Sequence, residues 1–182
     1  MRLALGLSAL EQLKDPTVAA ELEQIVATLQ QWGTNLGQWN PVTYATTLFS
    51  TDAGTWKPVA GDVRLFKWCV IGSRMSVQFH VQNGAATGTV KVLYLSVPNT
   101  GYKIVTAPNA AVPTLAGIGL VSTARCGIWQ NTSVYKPGTV GIVNARTDLP
   151  VLACFLDDTS QINTVANAGC FGQIDFEVQP AA

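Results

Sequence analysis

The residues that could support acid–base or nucleophilic chemistry are few in this chain and widely spaced. The single histidine, His80, lies in the alternating run Met75–Val81, on the same side as Gln78 and Gln82. A Ser-His-Asp or Cys-His site would require this histidine, and no Gly-x-Ser-x-Gly nucleophile elbow occurs in the sequence. We therefore expect His80 to be a strand residue without a catalytic role, and we predict no catalytic residues.

A pair of carboxylates could in principle serve glycoside hydrolysis, and Asp157-Asp158 is the most suggestive pair in the chain. It follows the apolar run Val151–Leu156 and precedes Thr159-Ser160. Adjacent residues of a strand point to opposite faces, so the two carboxylates would not converge on one sugar. The pattern is typical of a turn at a strand end. We predict no enzyme activity and no cofactor.

The four cysteines also lack the spacing of a site. They are Cys69, Cys126, Cys154 and Cys170, with no C-x-x-C pair among them, so we predict no metal site. Cys69 and Cys154 lie in strand-like runs, where free cysteine behaves as a small apolar residue. This favours reduced thiols and synthesis in the cytoplasm, with extracellular disulfides as the alternative.

Aromatic side chains offer another kind of chemistry, because their rings can stack on sugars. Trp129 and Tyr135 bracket the polar segment 130–133. We predict an exposed loop at Gln130–Val134, at the end of the domain farthest from the N-terminus. The candidate receptor contacts are Trp129, Gln130, Asn131 and Tyr135. The alternative is a hairpin whose flanking aromatic residues cover a sheet edge.

Apolar residues near the N-terminus recur at alternating steps of four and three. They are Val18, Leu22, Ile25, Leu29, Trp32 and Leu36. This is the a/d seam of a coiled coil. Asp15-Pro16 is a helix start, and Gly33 and Gly37 are stop signals. The pattern predicts a coiled-coil helix over 15–38, and those six residues form the predicted trimer interface. The alternative is one amphipathic helix packed on its own β-domain.

From residue 39 onward the apolar pattern changes to period two, which is typical of strands. Turn signals separate the segments, among them Asn83-Gly84 and Lys136-Pro137-Gly138. The spacing predicts an antiparallel β-sandwich or jelly roll of about eight to ten strands over 39–182. The candidate strands are Val42–Phe49, Val63–Ile71, Met75–Val81, Thr89–Val97, Lys103–Thr106, Ala116–Ser122, Gly127–Gln130, Thr139–Asn144, Val151–Leu156 and Gln173–Gln179.

Composition limits the classes of partner. Only 12% of the residues are charged and the formal net charge is zero. Nucleic-acid binding needs a basic surface, so we predict none. No apolar run approaches the length of about 18 residues that spans a bilayer, so we predict no membrane insertion. The apolar residues 1–14 have no obvious partner inside the β-domain, and we predict that they form a docking peptide.

In the order of its elements and in short sequence motifs the chain resembles phage virion fibre proteins, namely the head domains of tail fibres, receptor-binding proteins and capsid head fibres. The resemblance covers the chain from about Asp15. It is carried by the predicted helix running into WNPV at 39–42, by VIGSRMSV at 70–77, by LSVP at 95–98 and by GQIDFEV at 172–178. It implies a trimeric β-rich protein of the virion, made in the host cytoplasm.

Two functions follow as expectations. The first is a homotrimeric fibre or decoration, attached to other virion proteins through residues 1–14, whose β head has a host-surface glycan or protein as its candidate partner. The second is a secreted carbohydrate-binding or adhesin module, which would favour oxidised cysteines and a cleaved N-terminal signal. The sequence of the mature N-terminus would separate the two.

Overall fold

The computed structural model describes residues 18, 20–26, 37–98, 100–105, 114–115, 118–131, 134–143, 150–162 and 167–180. Residues 18 and 20–26 are helical. No helix in the described part of the chain combines the length and the apolar character needed to cross a membrane. The predicted docking peptide at 1–14 lies outside the described residues, so it stays a prediction.

The remaining described chain is mainly β. The strands are β1 (Asn40–Pro41), β2 (Phe49–Thr51), β3 (Thr55–Lys57), β4 (Val63–Ile71), β5 (Arg74–Thr87), β6 (Val92–Ser96), β7 (Tyr102–Ile104), β8 (Thr114–Leu115), β9 (Ile118–Asn131), β10 (Val134–Val143), β11 (Val151–Leu156) and β12 (Ala168–Pro180). Two 3-10 turns lie at Thr46–Leu48 and Ala60–Asp62.

These strands form one open antiparallel sheet, which confirms the prediction of a mainly β, antiparallel domain. The strand order is β1-β4-β5-β12-β9-β10-β11-β6-β2, while β3, β7 and β8 pair at the side with β5, β12 and β9. The long strands β5, β12, β9 and β10 are consecutive neighbours in this order. They therefore provide a continuous surface on which side chains from distant parts of the sequence can meet.

The alternating residues of β5 line the core as the sequence predicted. Met75, Val77, Phe79 and Val81 are at most 1% exposed. The sheet also curves, because Phe49 on the end strand β2 packs against Phe66 of β4, near the other end, with ring centroids 6.4 Å apart. Both ends of the sheet thus contribute to the same hydrophobic core.

Trp56 holds one corner of this core. Its side chain is 2% exposed and meets the ring of Phe49 edge-on, with centroids 5.4 Å apart. The indole N–H donates to the carbonyl oxygen of Ala168 at 3.1 Å, which ties β3 to the start of β12. Gly84 leaves room for the indole, since a Cβ there would lie 2.3 Å from Trp56 Nε1.

The predicted strand at Val42–Phe49 is wrong. Only Asn40–Pro41 and Phe49–Thr51 pair as strands, and a 3-10 turn at Thr46–Leu48 lies between them. The hydroxyl of Tyr44 donates to the Pro58 carbonyl at 2.8 Å, and its ring stacks on Phe49. The apolar residues of this segment therefore cover the core from an irregular path, which alternation alone cannot distinguish from a strand.

Two predicted turns lie inside strands, so these predictions are also wrong. β5 continues past Asn83 to Thr87, because Asn83 adopts a positive φ of 58° at an irregularity in the pairing with β12. β10 likewise contains Pro137, which pairs with Gly127 of β9. Pairing of β10 with β11 begins only at Gly138, so proline lies where β11 needs no N–H from it.

A third difference concerns strand length. The candidate strands Ala116–Ser122 and Gly127–Gln130 belong to one strand, β9, which runs Ile118–Asn131. Gly138 of β10 allows β9 and β11 to pack closely on either side, since a Cβ there would lie 2.6 Å from the Phe155 carbonyl oxygen and 2.7 Å from Ile128.

The predicted hairpin after Ile71 is confirmed, with Gly72 at a φ of 61°.

Candidate functional site

Four ring side chains from four neighbouring strands meet on one face of the sheet, and we call them the outer aromatic cluster. They are His80 of β5, Phe171 of β12, Trp129 of β9 and Tyr135 of β10. The centroid of Phe171 lies 5.7 Å from His80, 6.1 Å from Trp129 and 6.1 Å from Tyr135. The Trp129 and Tyr135 centroids are 5.8 Å apart. The rings thus form one connected surface.

The strand register places these rings opposite the core. Tyr135 pairs directly with Trp129, and Phe171 pairs with His80 on one side and with Gly127 on the other. Directly paired residues share a face, whereas their sequence neighbours point to the other face. The neighbours Ile128 and Cys170 are fully buried in the core. The cluster therefore lies on the outer face of the sheet.

Gly127 is the reason that Phe171 can lie flat against the sheet. A Cβ at Gly127 would lie 2.2 Å from Phe171 Cζ, so the phenyl ring occupies the space that any larger residue would need. Glycine in a strand often marks such a close approach. The ring in turn covers the backbone of β9 at this position.

Two nitrogens inside the cluster lack hydrogen-bond partners. His80 Nε2 and Trp129 Nε1 are buried without a partner among the described residues. An unsatisfied buried polar group costs about 1–3 kcal/mol. Tyr135, by contrast, is 62% exposed. The cluster thus combines an exposed ring with two polar atoms that its own surroundings do not satisfy.

A pair of amides borders the cluster on the same face. Gln78 and Gln173 pair across β5 and β12, two residues along the strands from His80 and Phe171. At about 3.3 Å per residue this spacing is roughly 7 Å. Gln78 Nε2 donates to Gln173 Oε1 at 2.7 Å. Neither the cluster nor the amide pair includes a carboxylate, a lysine or an arginine.

The structure brings two of the predicted receptor contacts together and separates a third. Trp129 and Tyr135 are cross-strand neighbours. Gln130 follows Trp129 in β9, points to the other face and is only 8% exposed. Asn131 is the last residue of β9, and its side chain lies outside the described residues. The predicted loop Gln130–Val134 is therefore shorter, because Gln130, Asn131 and Val134 belong to strands.

Phe171 is the member of the cluster that sequence reasoning missed. In β12 the buried residues Ile174, Phe176 and Val178 share one parity, and Phe171 has the other. This parity was a usable signal, because a large aromatic residue on the solvent side of a strand calls for an explanation. His80 was assigned to the correct face of its strand but not to a cluster.

The predicted trimer interface has a described half and an undescribed half. Val18, Leu22 and Ile25 lie on the helix and are 41%, 37% and 53% exposed. Leu29, Trp32 and Leu36 lie outside the described residues. Three apolar side chains at a/d spacing are thus exposed within a single chain.

The carboxylates considered for hydrolysis have other partners. Asp157 forms an ion pair with Arg125 and accepts a hydrogen bond from Thr139 Oγ1 at 2.8 Å, and these residues line a shallow surface groove. Asp158 accepts the backbone N–H of Ser160 at 2.9 Å. Hydrogen bonds from Ser160 lower the pKa of Asp158 below its ordinary value. Both carboxylates are therefore engaged at the end of β11.

The cysteines belong mainly to the core. Cys69, Cys154 and Cys170 are buried, Cys126 is partly buried, and all four are free thiols. Burial raises the pKa of the Cys154 thiol well above its ordinary value, and the neighbouring thiols of Cys126 and Cys170 raise it further. No group of three potential metal ligands occurs among the residues that the structure describes.

Comparison of the chain with protein-family models, with curated proteins and with solved structures finds no match. The function is therefore inferred from two features of the molecule itself. These are the exposed apolar residues of the helix and the outer aromatic cluster of the sheet.

Proposed function

We propose that this chain is a structural protein of a phage virion, a homotrimeric fibre or decoration whose β head contacts the host surface. Residues 1–14 attach it to other virion proteins, and the curved sheet forms the sandwich of the head. The resemblance in layout to phage fibre heads supports this proposal, because a helix with a heptad seam precedes a β-rich domain.

The observation that carries the proposal is the exposed seam of the helix. Val18, Leu22 and Ile25 follow one another at steps of four and three and remain 37–53% exposed within one chain. An isolated helix of this length is marginal in water. Association with two further copies would bury these side chains and stabilise the helix.

The test places charge in the seam. The double variant Leu22→Asp, Ile25→Asp would bury carboxylates between the helices, at a cost of several kcal/mol. Sedimentation should then show monomers where the wild-type chain sediments as a trimer. Ala20→Asp is the matched control, since Ala20 is exposed on the same helix but lies outside the seam. A wild-type chain that is monomeric at micromolar concentration would contradict the proposal.

Attachment can be tested separately. A chain beginning at Asp15 should still fold and form trimers, because it keeps the helix and the head. It should fail to enter virus particles, because it lacks the docking peptide. Normal incorporation of this shortened chain would rule out residues 1–14 as the attachment segment.

The outer aromatic cluster also favours a second candidate, a secreted carbohydrate-binding or adhesin module. Ring side chains beside amides are typical of carbohydrate-binding surfaces, and such a module could work outside any virus particle. N-terminal sequencing of the mature chain discriminates between the two. Loss of the first residues together with oxidised cysteines favours the module, whereas an intact N-terminus on a particle-bound trimer favours the fibre.

A further inference from the structure

We infer that the outer aromatic cluster and the Gln78–Gln173 pair form one binding surface for a neutral sugar. This inference rests on the proposed function, because it assigns the chemical class of the host-surface contact. It also adds four residues to the predicted contact, namely His80, Phe171, Gln78 and Gln173.

The rings supply the apolar half of the surface. A sugar ring presents a face of C–H groups that packs against aromatic side chains, as apolar groups do on the faces of Trp and Tyr. Tyr135 is 62% exposed and lies within 6.1 Å of both Trp129 and Phe171, centroid to centroid. A sugar lying against Tyr135 would therefore lie beside Trp129 and Phe171 as well.

The two nitrogens without described partners favour a ligand that carries hydroxyl groups, because hydroxyls can form hydrogen bonds with them. The indole N–H of Trp129 can only donate a hydrogen bond, and no described residue accepts it. His80 Nε2 lies on the other side of Phe171 and also has no described partner. Sugar hydroxyls can both donate and accept, so a hydroxyl group could satisfy either nitrogen. Both nitrogens are buried, so contact with a sugar requires a ring of the cluster to shift, and Tyr135 is the most exposed of the four rings.

The amide pair supplies the polar rim. Its internal hydrogen bond uses the amide nitrogen of Gln78 and the carbonyl oxygen of Gln173. The Gln78 carbonyl oxygen and the Gln173 amide nitrogen lie outside that bond. Together they offer one acceptor and one donor, which suits a pair of neighbouring hydroxyls. The charged residues that border this surface already have partners. Lys67, which pairs with Gln78, lies over the Trp39 ring at 4.6 Å, and Arg125 forms an ion pair with Asp157. This favours a neutral sugar over an acidic one.

The experiment uses the full-length chain and a panel of methyl glycosides of glucose, galactose and mannose, with N-acetylglucosamine and sialic acid added. Saturation-transfer NMR detects binding, and the imidazole signal reports on the site. His80 is the only histidine of the chain, so that signal is unambiguous. We expect at least one neutral sugar to bind saturably and to shift the His80 signal. We expect sialic acid to show no binding.

Variants test the residues. Phe171→Ala should weaken sugar binding about tenfold, the effect of losing one ring contact. Gln173→Ala should weaken it less. Ile71→Ala is the matched control, because Ile71 is a 54% exposed apolar residue at the β4–β5 hairpin, outside the cluster. If Phe171→Ala does not fold, the double variant Tyr135→Ala, Gln173→Ala provides the same test on exposed residues.

Four results would overturn the inference. They are the absence of saturable binding by any neutral sugar, binding that leaves the His80 signal in place, equal weakening by Ile71→Ala, and conversion of the trimer to monomers by Phe171→Ala. The last would show that the surface joins copies of this chain. Sedimentation separates this test from that of the proposed function. A trimer that binds no sugar contradicts only the sugar site, and a monomer that binds sugar contradicts only the trimer.

Discussion

The helix and the β head differ in how far their apolar side chains are buried. In the head, Leu95 of β6 is completely buried, as are Val77 and Val81 of β5. In the helix, Leu22 is 37% exposed and Ile25 is 53% exposed. The head therefore obtains its stability from contacts within one chain, whereas the apolar residues of the helix remain available for another molecule.

The same contrast recurs on a smaller scale between the two faces of the sheet. On the inner face, Ile128 and Cys170 are fully buried and belong to the core. On the outer face, their neighbours Trp129 and Phe171 contact each other, and the indole nitrogen of Trp129 has no hydrogen-bond partner among the described residues. We take the exposed helix residues and the outer aromatic cluster as the two candidate binding surfaces of this chain.

The largest expected effect compares the same truncation in both regions. Leu95→Ala should lower the free energy of unfolding of the head by about 2–5 kcal/mol, since it removes a fully buried side chain and leaves a cavity. Leu22→Ala should change head unfolding by only about 0.5 kcal/mol, because this side chain is not part of the core. Denaturant titration measures both.

The same two variants should affect the oligomeric state in the opposite order, with the larger effect from Leu22→Ala. Sedimentation of Leu95→Ala under native conditions should match the wild type, whereas Leu22→Ala should shift the trimer toward monomers at low concentration. If Leu22→Ala destabilised the head as much as Leu95→Ala does, the helix would be packed on its own domain, and the contrast between the two regions would disappear.

Local pattern was enough to predict some of these elements. The strand Val151–Leu156 was predicted with its observed bounds, and the alternation from Met75 to Val81 identified the buried face of β5. The ends of Val151–Leu156 coincide with Pro150 and Asp157, whereas β5 continues beyond Val81 to Thr87. Where the pattern failed, the competing cause was tertiary. Asn83 and Pro137 favour turns locally, but pairing with neighbouring strands holds both inside long strands.

The candidate site divides in the same way. Trp129 and Tyr135 are close in sequence, and a hairpin brings them together, so the sequence could predict their association. Phe171 and His80 join them only because β12 lies between β5 and β9 in the sheet. Strand order is set by the packing of the whole domain, and a local pattern carries no information about it.

A second prediction concerns how the buried thiols make the free energy of unfolding depend on pH. The pKa of Cys154 is raised well above its ordinary value of 9.0, chiefly by burial. Above pH 9 the unfolded chain therefore releases a proton that the folded chain keeps, and the free energy of unfolding should fall by about 1.4 kcal/mol per pH unit. Cys154→Ala should remove this contribution. Cys69 and Tyr94, whose pKa values are also raised by burial, should leave a smaller slope.

The measurement is denaturant unfolding at several pH values between 8 and 11, with a reducing agent present. Cys126→Ala should leave most of the slope in place, since burial is the largest cause of the raised Cys154 pKa and the Cys126 thiol only adds to it. Equal alkaline slopes for the wild type and Cys154→Ala would show that this thiol does not govern the pH dependence. That result would contradict the role assigned to burial in the core.

The smallest expected effect lies on the exposed side, at Asp158. Hydrogen bonds from the Ser160 side chain and backbone N–H lower the pKa of this carboxyl below its ordinary value of 3.8. The folded state therefore prefers the ionised form, and the resulting stabilisation is present above pH 3.8 and is lost as the pH falls through the folded-state pKa. Asp158→Asn should flatten this acid limb slightly, and Ser160→Ala should do so in part. NMR titration of the carboxyl checks the shift directly. A pKa at or above 3.8 would show that the turn after β11 does not hold the carboxylate in its ionised form.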